Sequence, residues 1–345
     1  MLLLKVSYIE PLVMSRVRIS TPDMISGHSV LEIPLPSTIL GALGNLLGIK
    51  LKTPDHLYGL AGLYNEIVSK LKCEQDKPLL KGPLLLHDGQ YYIPIYGKET
   101  SFFIPVDNLD KISERLEKNN LPFVINEELE KYIIHIPDER VGVKLKRGYS
   151  DLEKTIDLGY MYRYSISTYM LIDNKGNEKV VKPCFTYILN CSEDIELSEY
   201  VRLGGRGRIS RFELSRINGF EEEKLDKVKS VKELGIGDKA ILLSPLLITV
   251  NNKDNIYYED LNKAIKIQSL VIRLRRSDEK YVKLREIASD KRIISLGLGF
   301  SEAFNKRRPL LAAIPHGTLI EVVSKNFSKI ENELLNLGYG SAIKL

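Results

Sequence analysis

The order of elements that the hydropathy pattern predicts runs the same course twice, and this recurrence limits the fold more than any single motif. In the first half, residues 2–9 alternate as a strand does and stop near Pro11. "PLPSTILGALGNLLG" (34–48) reads as a helix capped by Ser37, with Ile39, Leu40, Leu43, Leu46 and Leu47 at helical spacing. A second helix covers roughly 55–72. From about 78 to 190 the pattern turns to short strands, with one helix near 107–118. There, 155–171 and 179–189 flank Asn174-Lys175-Gly176-Asn177, a hairpin signal. A short helix near 194–201, a glycine-rich turn at 203–208 and a strand with Phe212 and Leu214 on one face complete this half.

A polar helix, 221–234, joins the halves. The second half then offers a strand at 238–250, a helix near 259–266, strands at 268–276, 292–300 and 309–323, and a helix at 327–336. It closes with "LGYGSAIKL", a second glycine turn (337–340) and a last strand. Each half reads strand, helix, two central strands, helix, glycine turn, strand. That is the β-α-β-β-α-β order. The expectation is an α+β protein of two ferredoxin-like (RRM-like) domains, 1–220 with an insertion at about 78–190, and 221–345. A chain of 345 residues is long enough for two such cores.

Charge and composition narrow the function. The formal charge of +5 is mild, so a nucleic-acid surface has to be a local patch. Cys73, Cys184 and Cys191 form no C-x-x-C pair, and an odd count at wide spacing argues against a disulfide framework and a zinc site. The start, "MLLLKVSYIEPL", is too briefly apolar for a signal peptide or membrane span, so a soluble cytoplasmic protein without membrane contact is expected. Histidines 28, 56, 87, 135 and 316 have no metal-ligand spacing, and neither a P-loop nor a G-x-S-x-G elbow is present. No metal, cofactor or catalytic centre is expected. The alternative is His28, in "SGHS", as an acid or base in metal-free RNA cleavage.

"RLGGRGRISRFEL" (202–214) crowds Gly204, Gly205 and Gly207 against Arg202, Arg206, Arg208 and Arg211. Glycine lets a backbone or a phosphate come close, and arginine offers a fork for phosphate oxygens. A turn alone requires the glycines but not the arginines. Two readings therefore stand: a tight turn, or a turn that also holds nucleic-acid backbone. Lys144, Lys146 and Arg147; Arg273, Arg275 and Arg276; and Lys306, Arg307 and Arg308 form further basic clusters, each compatible with a solvated surface or with one groove. Tyr160, Tyr162 and Tyr164 share a strand face, fit either for packing or for stacking bases.

The stretches "PLPSTILGALGNLLG", "ERVGVKL" (139–145), "LGGRGR" (203–208), "RRPLLAAIPHGTLIEV" (307–322) and "LGYGSAIKL", in this order, resemble the RAMP superfamily of CRISPR effector proteins. Over nearly the whole chain the likeness is to the third subunit of Cmr-type (type III-B) complexes. It departs at Arg206, where that family often has an acidic residue. The resemblance implies a non-catalytic subunit that holds the 5′ handle of the crRNA, beside a large polymerase-like subunit and backbone RAMP subunits. It transfers RNA contact to Gly204, Gly205, Arg206, Gly207 and Arg208, with Arg211 beside them, and to Gly338 and Gly340. Ser37 and Thr38, at a helix N-terminus, match as well, and such a terminus favours phosphate on physical grounds. The basic residues Lys144, Lys146, Arg147, Arg307 and Arg308 complete the expected RNA-binding set. A RAMP endoribonuclease acting on precursor crRNA and a purely structural assembly subunit are the rival readings.

Overall fold

The computed structural model describes residues 1–14, 31–95, 101–117, 123–125, 129–145, 156–204, 208–248, 265–268, 271–275, 284–288 and 293–345. Strand β1 (Leu2–Tyr8) is followed by α1 (Pro36–Leu46) and α2 (Leu60–Lys70). Strands β2 (Leu80–His87), β3 (Gln90–Ile95) and β4 (Phe102–Pro105) lead to α3 (Leu109–Glu117) and a short β5 (Phe123–Val124). The long β6 (Lys131–Leu145) and β7 (Ile156–Asp173) pair along their length, and β8 (Glu178–Val181) folds back on β7. Then come β9 (Cys184–Leu189), β10 (Leu197–Leu203) and β11 (Arg208–Arg216). All but β5 form one ten-stranded sheet in the order β10-β11-β1-β9-β2-β3-β4-β6-β7-β8.

Helix α4 (Gly219–Leu225) precedes β12 (Val228–Ser230), β13 (Lys239–Leu242) and β14 (Leu246–Ile248). Next are β15 (Ile265–Gln268), β16 (Val271–Arg275), β17 (Leu284–Ala288) and β18 (Ile294–Gly297). The hairpin β19 (Phe300–Ser301) and β20 (Lys306–Arg307) is followed by β21 (Leu310–Ile314), β22 (Leu319–Val322), α5 (Lys329–Asn336) and β23 (Ser341–Lys344). The second main sheet has the order β12-β23-β13-β22-β15. The molecule is thus α+β with mostly antiparallel sheets.

Both main sheets contain the same run of four strands. In β11-β1-β9-β2 and in β23-β13-β22-β15, the first strand of the unit lies between the fourth and the third, every pair antiparallel. The first unit packs α1 and α2 on one sheet face, where Leu4, Val6, Phe185, Tyr187, Phe212 and Leu214 meet Ile39, Leu43, Leu63 and Ile67. Strands β3 to β8 extend the same sheet beyond β2, so the insertion is a continuation of the sheet rather than a separate body.

Several expectations are corrected. Residues 194–201 hold no helix. Leu197, Val201 and Leu203 mimic helical spacing, but cross-strand pairing with β11 makes Leu197–Leu203 a strand with Val201 and Leu203 inward. The polar helix at 221–234 ends at Leu225, because Val228–Ser230 joins β23 as an edge strand. Residues 238–250 divide into β13 and β14, and of the helix near 259–266 the described part, from Ile265, is strand. Ser37 caps nothing. Leu35 is the N-cap and Pro36 opens the helix, a position where the missing N–H costs no bond. The cysteines are not all free either: Cys73 and Cys191 form a disulfide across 118 residues, leaving Cys184 as the free thiol. Wide spacing hid this pair, since the fold rather than the sequence brings the end of α2 beside the end of β9.

Candidate nucleic-acid interface

The turn at 203–208 links two strands. Leu203 pairs with Arg208, so the turn closes the β10–β11 hairpin at the free edge of the ten-stranded sheet. Gly204 has φ +73°, and a Cβ there would stand 3.0 Å from the Val13 carbonyl oxygen. Glycine is required at this point by conformation and by a passing backbone. Gly205, Arg206 and Gly207 lie outside the described residues.

Alternation along the hairpin divides its side chains between the two sheet faces. Arg208, Ser210, Phe212 and Leu214 face the helices, and Arg208 is half-buried with its guanidinium 3.8 Å from the Glu10 carboxylate. Glu10 also accepts the Ile209 amide at 3.1 Å, so this arginine helps tie the chain after β1 to the hairpin. Arg211 lies on the opposite face, where it donates to Ser198 Oγ (3.1 Å) and pairs with Glu213 (2.8 Å). Beside it on that face stand Tyr200, 66 % exposed, Ile209, and the exposed Arg202. Tyr200 was missed in the sequence because 194–201 reads as helix, which hides its place directly opposite Arg211.

Three of the remaining predicted residues, Gly338, Gly340 and Ser37, lie at the seam between the halves. Gly338 has φ +107°, and a Cβ would come within 2.7 Å of the Leu80 carbonyl oxygen. Gly338 and Gly340 are buried, so they serve close packing and offer no surface to RNA, contrary to expectation. Tyr339 between them donates its hydroxyl to Ser37 Oγ at 2.8 Å, and burial raises that phenol to about 12 despite the hydrogen bond. Ser37 is itself 2 % exposed, which removes it from the expected RNA contacts; Thr38 is half-buried.

Arg307 is exposed on β20, while Arg308 is half-buried and donates to the Phe300 carbonyl at 3.1 Å. Burial lowers the Arg308 pKa, opposed by Tyr339 and Asp55 nearby. The Asp55 carboxylate accepts the amides of Leu57, Gly59 and Gly62, each at 2.8 Å, so the N-terminus of α2 is filled by a residue of the chain itself. The structure therefore brings Ser37, Thr38, Arg308 and the 338–340 turn together, and places Gly204, Arg208 and Arg211 on the edge hairpin. Lys144 lies on β6 where its register with β7 shifts. Lys146, Arg147 and Arg276 lie outside the described residues, as do the side chains of Arg273, Arg275 and the three tyrosines of β7.

One buried ionisable cluster has no counterpart in the sequence reading. Glu32 Oε2 lies 3.2 Å from His316 Nε2, both deeply buried. Burial would raise the Glu32 carboxyl, but the His316 imidazole beside it, with His135 and the local backbone contributing, outweighs burial and holds the pKa at about 2. His135, nearby and packed edge-on against Tyr169, is lowered to about 4, chiefly by burial. His28 lies outside the described residues. Among the described residues no group of three or more His, Cys, Asp or Glu is arranged to hold a metal. No helix among them is long and apolar enough to cross a membrane.

No protein-family model matches the chain, and no curated protein matches it either. Solved structures do. A chain in the cryo-EM structure of the Type III-B Cmr-beta complex bound to cognate target RNA and AMPPnP aligns over 98 % of this chain and 94 % of its own length, with a TM-score of 0.60 and 17 % identity. A chain of the same complex bound to cognate target RNA alone gives 0.59 at 17 % identity, over 98 % and 95 %. From end to end, the fold is that of a subunit of Type III-B Cmr complexes.

Proposed function

We propose that this chain is a non-catalytic RNA-binding subunit of a type III CRISPR ribonucleoprotein, and that it holds the 5′ handle of the crRNA. The observation that carries this reading is the full-length superposition on a chain of an RNA-bound Cmr assembly, with almost nothing left over on either side. Each four-strand run is read as one ferredoxin-like βαββαβ unit, the first modified by β10 where its second helix would stand. Division near residue 220 follows, with the sheet extension as the inserted part. In this role the chain docks on a large polymerase-like subunit and on backbone RAMP subunits and takes part in cytoplasmic antiviral defence.

Support for the binding site comes from the edge hairpin. Its turn is open at Gly204, and the basic residues Arg202 and Arg211 flank it on one face. Phosphate contacts by Arg206 and by glycine-opened backbone position an RNA strand without reading its bases. Arg206→Ala should weaken handle binding by the assembled complex similarly across sequences, and the salt slope should fall by roughly 0.7 for each single-strand contact removed. Arg208→Ala is the poorer probe, because its Glu10 contact also holds the hairpin. Unchanged affinity and slope in Arg206→Ala would reduce the loop to a turn. Defined cleavage of repeat RNA that is abolished in His28→Ala would replace the binding subunit with a nuclease.

A further inference from the structure

We infer that Tyr200 is a base-stacking platform, which takes one unpaired base of the RNA strand whose backbone is held at the adjoining turn. The inference rests on the RNA-binding reading above and names a contact within it that the glycine-arginine pattern does not supply. Tyr200 stands on β10 directly opposite Arg211, and Arg202 stands opposite Ile209 on the same face. The side chain is 66 % exposed, on the face opposite the buried Val201 and Leu203. No hydrogen bond, ion pair or ring contact reaches the side chains of Tyr200 or Arg202 from another described residue. Toward the middle of the sheet this face is covered: Leu3, Leu84 and Ile188 are buried in one cluster with residues of α3 and the second sheet. At the hairpin corner Tyr200, Arg202, Ile209 and Arg211 are left exposed.

The chemistry of the corner selects the occupant. A tyrosine ring has a π-face for any base, and base–aromatic stacking tolerates sequence. Same-face residues two apart on a strand are separated by about 6.6 Å, close to the reach of one extended nucleotide. Tyr200 and Arg202 can therefore address a base and the phosphate next to it. A protein surface pressed on this corner would have to bury the Arg202 charge, whereas a nucleic-acid strand brings the counter-charge with it. The turn at Gly204 continues the same path.

The test uses the full chain and two probes of equal length: a labelled single-stranded oligoribonucleotide of mixed sequence and its abasic counterpart. Tyr200→Ala should weaken binding of the first between about fivefold and a hundredfold, with an unchanged salt slope, because stacking releases no counterions. Tyr200→Phe and Tyr200→Trp should retain the parent affinity. The abasic strand should bind parent and Tyr200→Ala alike. Melting curves of the variants should match the parent, since the side chain is exposed. If the parent binds RNA and Tyr200→Ala binds it equally well, the platform is refuted while the turn reading stands. Equal losses on both probes would likewise refute it. A parent that binds neither probe overturns the RNA-binding reading and this inference with it.

Discussion

Removing the disulfide tests how the first unit is held closed around its insertion. Cys73 follows α2 and Cys191 follows β9, so the bridge closes a loop of 118 residues that contains β2 to β9. In the chain-entropy treatment, a loop of that length removes about 16 cal/mol/K from the unfolded ensemble, or about 5 kcal/mol at 25 °C. The native state loses little when the bridge goes. Residues 71–74 and 190–193 are zipped by backbone bonds from Glu74 to Asn190 (3.3 Å), Ser192 to Lys72 (3.2 Å) and Glu193 to Leu71 (3.2 Å), with Asn190 Nδ2 on Glu74 at 2.9 Å. The effect therefore falls on the unfolded chain, and a Cys73→Ser/Cys191→Ser double variant should keep its fold. Its urea midpoint should drop by about 1 M or more relative to the oxidised parent. Reductant should move the parent to the variant's midpoint and leave the variant unmoved. Alkylation in denaturant should label one thiol, Cys184, before reduction and three after. Three labelled thiols in the unreduced parent, or identical midpoints for parent and variant, would refute the reasoning.

Packing at the seam and in the buried ionisable cluster sets two further outcomes. Gly338→Ala should destabilise by about 2 kcal/mol or more, through positive φ and the Leu80 carbonyl 2.7 Å from the added methyl, read as a lower melting temperature; a melting temperature equal to the parent's would mean that the seam has room. Acid should act in two steps. The unfolded His135 takes up its proton near pH 6.5 and the folded one only near 4, so stability is complete above that window and falls by roughly 3 kcal/mol across it. Glu32, held at about 2 against an ordinary 4.5, gives a second loss as pH drops through that range. In urea titrations at stepped pH, His135→Gln should flatten the first step and keep the second, and a variant that retains the first step would reassign it.

Much of the fold was legible because its signals are local. The alternation in Leu2–Tyr8, the apolar spacing of α1 and the terminal helix each specify one element and need no partner. What the sequence misread depends on distant partners. Leu197–Leu203 becomes a strand because β11 supplies its hydrogen bonds, and Val228–Ser230 leaves the polar helix because β23 does the same. The candidate site divides in the same way. Glycines mark where the backbone turns, but whether the turn faces solvent is decided by packing, so Gly204 and Gly338 look alike in sequence and differ in surroundings. Tyr200 and the Cys73–Cys191 pair carried no local signal.

The two glycine turns occupy equivalent places before the last strand of each four-strand run, yet their described residues differ in surroundings: Gly204 is exposed, while Gly338 and Gly340 are buried. In the second half the turn abuts β2 of the first: Ser341 Oγ donates to the Leu80 carbonyl, Ser244 Oγ to the Gly338 carbonyl, and Tyr339 reaches Ser37 at the start of α1. Leu79 donates its amide to Asn336, and Lys81 pairs with Glu233, so the seam is closed by polar bonds on both sides of the glycines. A turn fixed in this manner can carry no arginines, and "LGYG" has none. In the first half the strand before the turn is β10, which pairs with β11 as the edge strand of the ten-stranded sheet, and Gly204 at its end is exposed. The arginines cluster at that turn. Among the described residues the contrast is one of burial: Arg202, Gly204 and Arg211 are exposed at the first turn, whereas Gly338, Tyr339 and Gly340 are buried at the seam, where a charged side chain would lose its hydration.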